Sequence, residues 1–343
     1  MNHKWLRVSI VFATVVSTSL VGSAAKPATP GSAASEHQRI VDFWTNERVA
    51  QAVPRDFVKT GPNQYELAGK PDRGGKPGGG GGGGSTGTIT GASWNGGGVV
   101  AETTGKVLFA MGASYYVCSA SVVTDSASGR SIVLTAGHCV YDEAGGAFAT
   151  NWMFIPNYDA AAPNLTTSGS FCGQTLYGCW TAKSLVAHSG YTTAGGFNDQ
   201  AVVFDFGFAV LEDGGKSSAL VESIVGSQEI SFDANGAGTV VDAFGYPAAR
   251  KYNGKDLVYC EGPTGFDSLN NDATYKIACN MTGGSSGGPW MRSFNTTTGQ
   301  GTSTSVNSYG YTGDKSMYGP KFNADTEDLY QAALTTSANQ IVP

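Results

Sequence analysis

An all-β fold, many short strands closed into a barrel or stacked as a sandwich, is what this sequence predicts, and three observations carry the prediction. Glycine takes 49 of 343 positions and charged residues only 14%, roughly twice and about half their usual shares. That balance suits loop-rich β structure and excludes a coiled coil, which needs abundant Ala, Glu, Lys and Leu. Short runs of Val, Ile, Phe and Tyr recur at Lys106 to Met111, Ser114 to Thr124, Ser131 to Thr135, Ala201 to Leu211 and Gly238 to Phe244, separated by Gly, Asn, Asp and Ser clusters. Such runs between turn residues read as strands. One late segment, Asp325 to Leu334, reads as a short C-terminal helix. Its acidic first turn meets the positive end of the helix dipole.

The chain ahead of this body is organised differently. Lys4 and Arg7 precede a mostly apolar stretch from Val8 to Val21, then the small residues Gly22 to Ala25. This is the layout of an export signal cleaved after Ala24 or Ala25. The stretch is short of the roughly 20 apolar residues that span a bilayer, so residues 1–25 read as a signal peptide. Residues 26–34 are Pro-, Ala- and Ser-rich and read as unstructured. From Ser35 to Ala52, a Ser35/Gln38 capping box precedes Ile40, Val41, Phe43 and Trp44 on one helical face, and Pro54 ends the helix. Gly74 to Gly84, interrupted only by Lys76 and Pro77, is a flexible linker. A small unit ahead of an exposed hinge suggests a removable pro-segment over 26–85 and a functional domain over 86–343.

Residues 1–85 hold 10 basic and 6 acidic residues, the remainder 11 and 21. A body with that acidic excess is a poor partner for nucleic acid or an anionic membrane, where Lys and Arg supply the affinity. Cys118, Cys139, Cys172, Cys179, Cys260 and Cys279 all lie in the body. An even count in an exported chain suggests three disulfides, and sequential pairing is the simplest of many connectivities. A zinc site would want a Cys-x-x-Cys pair and more nearby histidine than His138, so no metal or other cofactor is expected.

The chemistry starts at Ser286, in Gly283-Gly284-Ser285-Ser286-Gly287-Gly288-Pro289. A serine amid glycines can stand on a tight turn with unobstructed N–H groups beside it, joining a nucleophile to an oxyanion hole. The pattern G-x-S-x-G also occurs in α/β-hydrolases, but their histidine follows the serine. The four histidines here are His3, His37, His138 and His188, all earlier. A subtilisin order would need its aspartate shortly before the histidine, and nothing around Asp125 supports that. His188 carries no motif and reads as a surface or loop residue.

Leu134-Thr135-Ala136-Gly137-His138-Cys139, with Cys118-Ser119-Ala120-Ser121-Val122-Val123 upstream and the G-x-S-G-G-P around Ser286, resembles the chymotrypsin/trypsin family of serine peptidases over roughly residues 95–335. The resemblance implies two six-stranded antiparallel β-barrels with the site between them and a Cys118–Cys139 bridge at the histidine loop. It further implies His138 as general base, Ser286 as nucleophile and the N–H groups of Gly284 and Ser286 as oxyanion hole. Asp205, in a D-F-G-F-A-V-L run similar to that of bacterial glutamyl-endopeptidase-like relatives, is favoured over Asp199 as the third member. An acid inside an apolar strand is costly unless hydrogen-bonded, which suits a residue behind a histidine.

Ser308-Tyr309-Gly310 resembles the family strand that pairs with substrate backbone and walls a pocket, and Asn280 falls where trypsin-like members carry an acid for Lys or Arg. No acid lies from Asn280 to Ser285 and no histidine follows Ser286, so neither the trypsin-like nor the glutamyl preference is expected by its usual route. Ser285 stands where an aspartate binds a freed N-terminus in relatives activated by chain cleavage, and it cannot form that ion pair. The expectation is a monomeric extracellular endopeptidase acting on protein or peptide substrates, made as a pro-enzyme, with no nucleic-acid partner and no membrane partner after signal removal.

Overall fold

The computed structural model describes Met1 and residues 33–68, 88–127 and 129–343. The signal peptide expected over 1–25 and the linker over 74–84 lie outside the described residues. Strands dominate. Ser114–Val123, Thr104–Met111, Thr150–Pro156, Trp180–His188, Gly207–Leu211 and Ser131–Thr135 pair antiparallel in that order, and the last pairs back with the first to close a six-stranded barrel. Closure removes free sheet edges, the main liability of exposed strands.

The second barrel comprises two sheets. One holds Gln300–Val306, Pro289–Asn295, Val240–Gly245 and Val258–Pro263; the other holds Gly265–Phe266, Tyr275–Ala278, Ser316–Gly319 and Tyr309–Tyr311. The chain turns between them where Val258–Pro263 runs on to Gly265–Phe266 and Gln300–Val306 to Tyr309–Tyr311. Trp290, Tyr275, Ile277, Val241 and Met317 fill this core, while Val107, Phe109, Val122, Leu134 and Phe208 fill the first. The molecule is thus a two-barrel fold. None of the described helices is long and apolar enough to cross a membrane.

The six cysteines pair sequentially, as Cys118–Cys139, Cys172–Cys179 and Cys260–Cys279. The C-terminal helix runs Ala324–Thr335. Asn323 caps it by accepting the N–H groups of Asp325 and Thr326, and Leu329, Tyr330 and Ala333 are buried.

Several local expectations need correction. Ala201 to Leu211 is not one strand: Ala201–Phe204 is a 3-10 turn and the strand begins at Gly207. The N-terminal helix starts at Ala33, so Ser35 lies inside it and not at its cap, and a second helix, Asn46–Gln51, is capped by Thr45. Beyond Ala52 the segment is β structure. Phe57–Gly61 and Gln64–Leu67 form an antiparallel hairpin through Asn63, whose φ is +52°. His188 is buried, not superficial; its ring stacks on Phe204 and its Nδ1 accepts the Gly190 N–H at 3.0 Å.

Asp242 sits buried on Val240–Gly245 directly across the ladder from Glu261. Burial, aided by the Glu261 charge, pushes its carboxyl up to about 7. The folded chain therefore holds a proton that the unfolded chain releases near pH ~4. Stability from this group falls as pH rises from about 4 to about 7 and is level above. Asp242→Asn is expected to raise the melting temperature by a few degrees at pH 8, with the gain shrinking to nothing near pH 4 in thermal denaturation scans.

Candidate active site

The histidine arrives on a short 3-10 turn, Gly137–Cys139, directly after Ser131–Thr135, and the Cys118–Cys139 bridge ties that turn to the neighbouring strand. Gly137 has a steric reason: a Cβ there would lie 3.1 Å from Oδ1 of Asp205 and 3.3 Å from its Cα. The acid can therefore come up under the turn.

Asp205 is the carboxylate brought to His138. Both are fully buried. Oδ2 of Asp205 accepts from Nδ1 of His138 at 2.8 Å, and Oδ1 accepts the His138 backbone N–H at 2.8 Å. The Ser308 hydroxyl donates to Oδ2 at 2.5 Å. Ser308, expected to contact substrate, thus spends its hydroxyl on the acid. A buried carboxylate needs such donors, since each unfilled lone pair costs desolvation energy. The arrangement leaves Nε2 of His138 as the ring's free basic position and fixes its tautomer.

Ser286 is brought to the same place by its turn. The Ser286 carbonyl accepts the Ser119 N–H at 2.7 Å and lies 3.8 Å from Sγ of Cys139, while the Ser119 hydroxyl donates to the Gly284 carbonyl at 2.8 Å. Such close approach requires glycine after Ser286. Gly287 has φ +82°, and a Cβ there would meet Oγ1 of Thr135 at 2.1 Å and the Ser119 carbonyl at 2.4 Å. Ser285 turns its hydroxyl to the Thr282 carbonyl at 2.9 Å, so neutral bonds hold this turn. Among the described residues, neither the Gly284 nor the Ser286 N–H donates to a protein acceptor, which leaves two donors for a developing oxyanion. One bond of the set is unmade: Nε2 of His138 is buried without a partner, so it does not hold the Ser286 hydroxyl in this state. Cys118, His138 and Cys139 place ligating atoms within 4.8 Å of one another, the one such group among the described residues, but the two sulfurs are bonded to each other.

A cavity of about 940 Å³ opens beside the Ser286 turn, lined by Asn280, Met281, Thr282, Gly283, Arg250 and Tyr309 among others. Oδ1 of Asn280 accepts the Tyr252 hydroxyl at 2.5 Å, so this neutral side chain is held in place. Gly310 lines the cavity together with Tyr309. Asp199, the rival acid, is elsewhere: its carboxylate faces Lys59 and Tyr65.

What the sequence reading missed is that residues 53–59 lie along this cleft. Val53–Pro54 pairs in parallel with Tyr116 and Val117 of the first barrel, and Phe57–Gly61 pairs in parallel with Tyr309–Tyr311 of the second. Between them, Nη1 of Arg55 donates to the His138 carbonyl at 2.6 Å and Nη2 donates to the two Glu143 oxygens at 3.0 and 2.9 Å. Asp56 packs on Gly283, where a Cβ would meet its own at 2.8 Å. Phe57 stands edge-on to His138, ring centroids 5.6 Å apart. The signal was present in the alternation of Phe57-Val58-Lys59-Thr60 and Gln64-Tyr65-Glu66-Leu67 around Gly61-Pro62-Asn63.

No family model and no curated protein matches the chain. Among solved structures it is similar to the protease Anisep from Arthrobacter nicotinovorans, with 38% identity and a TM-score of 0.57, covering 68% of this chain and 96% of that one. It is similar also to the thermostable serine protease AL20 from an extremophilic microorganism, with 37% identity and a TM-score of 0.58, covering 69% and 99%.

Asp205→Asn keeps the shape of the acid but removes the charge that orients the imidazole. It is expected to leave the circular dichroism spectrum unchanged and to slow labelling of Ser286 by an organophosphorus probe by on the order of 10³–10⁴. A loss below tenfold would detach Asp205 from the site's chemistry.

Proposed function

The chain belongs to the chymotrypsin/trypsin-fold serine peptidases, and from that premise we propose that it is an exported endopeptidase made in latent form. The observation that carries the reading is the fully buried Asp205–His138 pair set beneath the glycine turn of Ser286. In the reaction, Oγ of Ser286 attacks a peptide carbonyl and Nε2 of His138 takes its proton. The same imidazole returns the proton to the leaving amine, and Asp205 stabilises the charged ring between the two steps. The N–H groups of Gly284 and Ser286 receive the oxyanion. Water then hydrolyses the acyl-enzyme by the same route. Residues 1–25 serve as the export signal, and three disulfides suit an oxidising destination.

Latency follows from residues 53–59. A peptide substrate must reach both barrels around Ser286, and this run already pairs with one strand of each. Its Arg55 is anchored in a buried ion pair with Glu143, which also accepts the Tyr191 hydroxyl at 2.7 Å. Residues 26–85 are then the pro-segment, and cleavage in the glycine linker is the step that lets it leave. The unmade His138–Ser286 bond belongs to this latent state, since catalytic hydrogen bonds often form only when the site is engaged productively.

Two tests follow. A fluorophosphonate probe applied to the secreted protein after cleavage in the linker is expected to label wild type but not Ser286→Ala, and peptide hydrolysis should vanish in that variant; hydrolysis at a comparable rate would sink the assignment. The second concerns Asp56, whose carboxyl is raised to about 6 by burial, against the opposing pull of His138 and Arg250. The docked segment holds a proton that the released one gives up near pH ~4. Docking therefore weakens as pH rises from about 4 to about 6, by up to about a hundredfold, and is level above. After cleavage in the linker, segment dissociation followed by size-exclusion chromatography should show that rise, and Asp56→Asn should flatten it.

A further inference from the structure

Asp199 has no role in the mechanism, yet it is held by the same N-terminal run that lies along the cleft. Its carboxylate pairs with Nζ of Lys59 and accepts the Tyr65 hydroxyl at 2.8 Å, and its backbone N–H donates to Oδ1 of Asn63 at 2.9 Å. All three partners belong to residues 57–67. Among the described residues the body supplies no side chain to this carboxylate, so departure of the segment leaves a bare acid. It is not bare of surroundings: the Lys59 ammonium also lies 5.6 Å from the Tyr311 ring centroid. A carboxylate beside an aromatic ring is a seat for a cation. Next to it, Phe57 stacks on Phe197 with centroids 3.9 Å apart and planes at 5°.

These two contacts are spaced as a strand dictates. Phe57 and Lys59 are two residues apart on one face of an extended run, opposite Tyr309 and Tyr311 respectively. Any peptide paired with Tyr309–Tyr311 presents alternate side chains to the same two places, whichever way it runs. Asp56 occupies the position at the Ser286 turn, so Phe57 is second and Lys59 fourth, counted outward from the reacting centre.

We propose that Phe197 and Asp199 set substrate preference, selecting an aromatic side chain at the second position and Lys or Arg at the fourth, on the side of the cleaved bond that pairs with Tyr309–Tyr311. This rests on the hydrolase reading above and names its substrate class. Asp199 acts by charge and Phe197 by stacking; Phe197 also stands edge-on to the His138 ring, centroids 5.6 Å apart, but neither side chain takes part in the bond changes. The segment is held by the contacts a substrate would use.

The test uses the secreted protein after cleavage in the glycine linker and release of the segment, with active enzyme counted by fluorophosphonate titration so that residual segment occupancy drops out of the rates. Matched peptides differ only in Lys against Glu at the fourth position, or Phe against Ala at the second. Wild type is expected to favour Lys over Glu by about tenfold or more in kcat/KM, largely through KM, and less so at high salt. Asp199→Asn should compress that ratio to within about twofold, and Asp199→Lys should invert it. Phe197→Ala should flatten the Phe-over-Ala preference and leave the Lys-over-Glu ratio standing. A wild-type enzyme that cleaves peptides, labels at Ser286 and ignores the fourth position overturns this proposal alone. So does a Lys preference that survives Asp199→Asn while the segment dissociates faster, which would make the contact a docking device only. Absence of both labelling and cleavage overturns the proposal together with the function on which it rests.

Discussion

A carboxylate with no exposure to water must fill its lone pairs from the protein, and Asp205 does so from both barrels. The backbone and ring of His138 come from the first, the hydroxyl of Ser308 from the second. Without the charge, the imidazole has no fixed tautomer; without the donors, the charge is untenable in the core. The barrels are therefore registered against each other by this one carboxylate. Ser119 adds a second stitch, since its N–H and hydroxyl hold the carbonyls of Ser286 and Gly284 while the hydroxyl also accepts the Tyr246 N–H.

The N-terminal segment lies along the same cleft. Its helices anchor on the first barrel, where Nε1 of Trp44 donates to the Asn151 carbonyl at 2.7 Å and His37 is hydrogen-bonded to Thr181. Its extended run then crosses to the second barrel. The anchoring groups differ in kind along the way: apolar stacking at Phe57, ion pairs at Arg55 and Lys59, and a buried acid at Asp56 that opposes docking once it is charged. A segment held this way binds specifically yet keeps one pH-sensitive weakness at the reacting centre.

Legibility in the sequence followed the range of each interaction. The strands of the first barrel, the C-terminal helix and the histidine and serine turns were readable because local residues dictate them: alternating apolar runs, an acidic first turn, glycines where a Cβ would collide. The boundary at Asp205 was misread as strand because the run Ala201 to Leu211 is apolar apart from Asp205 and Gly207, and apolar content alone does not separate a 3-10 turn from a strand. The hairpin over 57–67 was overlooked because its strands are short and it is completed by pairing with Tyr309–Tyr311, some 250 positions away. That the Ser308 hydroxyl serves Asp205 could not be read ahead, because a hydroxyl's partner is not set by its neighbours in the chain.

By itself, then, the sequence determined the β-rich class, the order histidine, aspartate, serine, and the small residues that let backbones meet. Those are consequences of side-chain shape and backbone conformational freedom, properties each residue carries with it. Only the tertiary structure decided which acid serves the imidazole, which hydroxyl supports that acid, and which stretch of the chain occupies the cleft. Asp199 and Asp205 stand six residues apart with the same chemistry, and what separates their fates is the set of distant groups each one meets after folding.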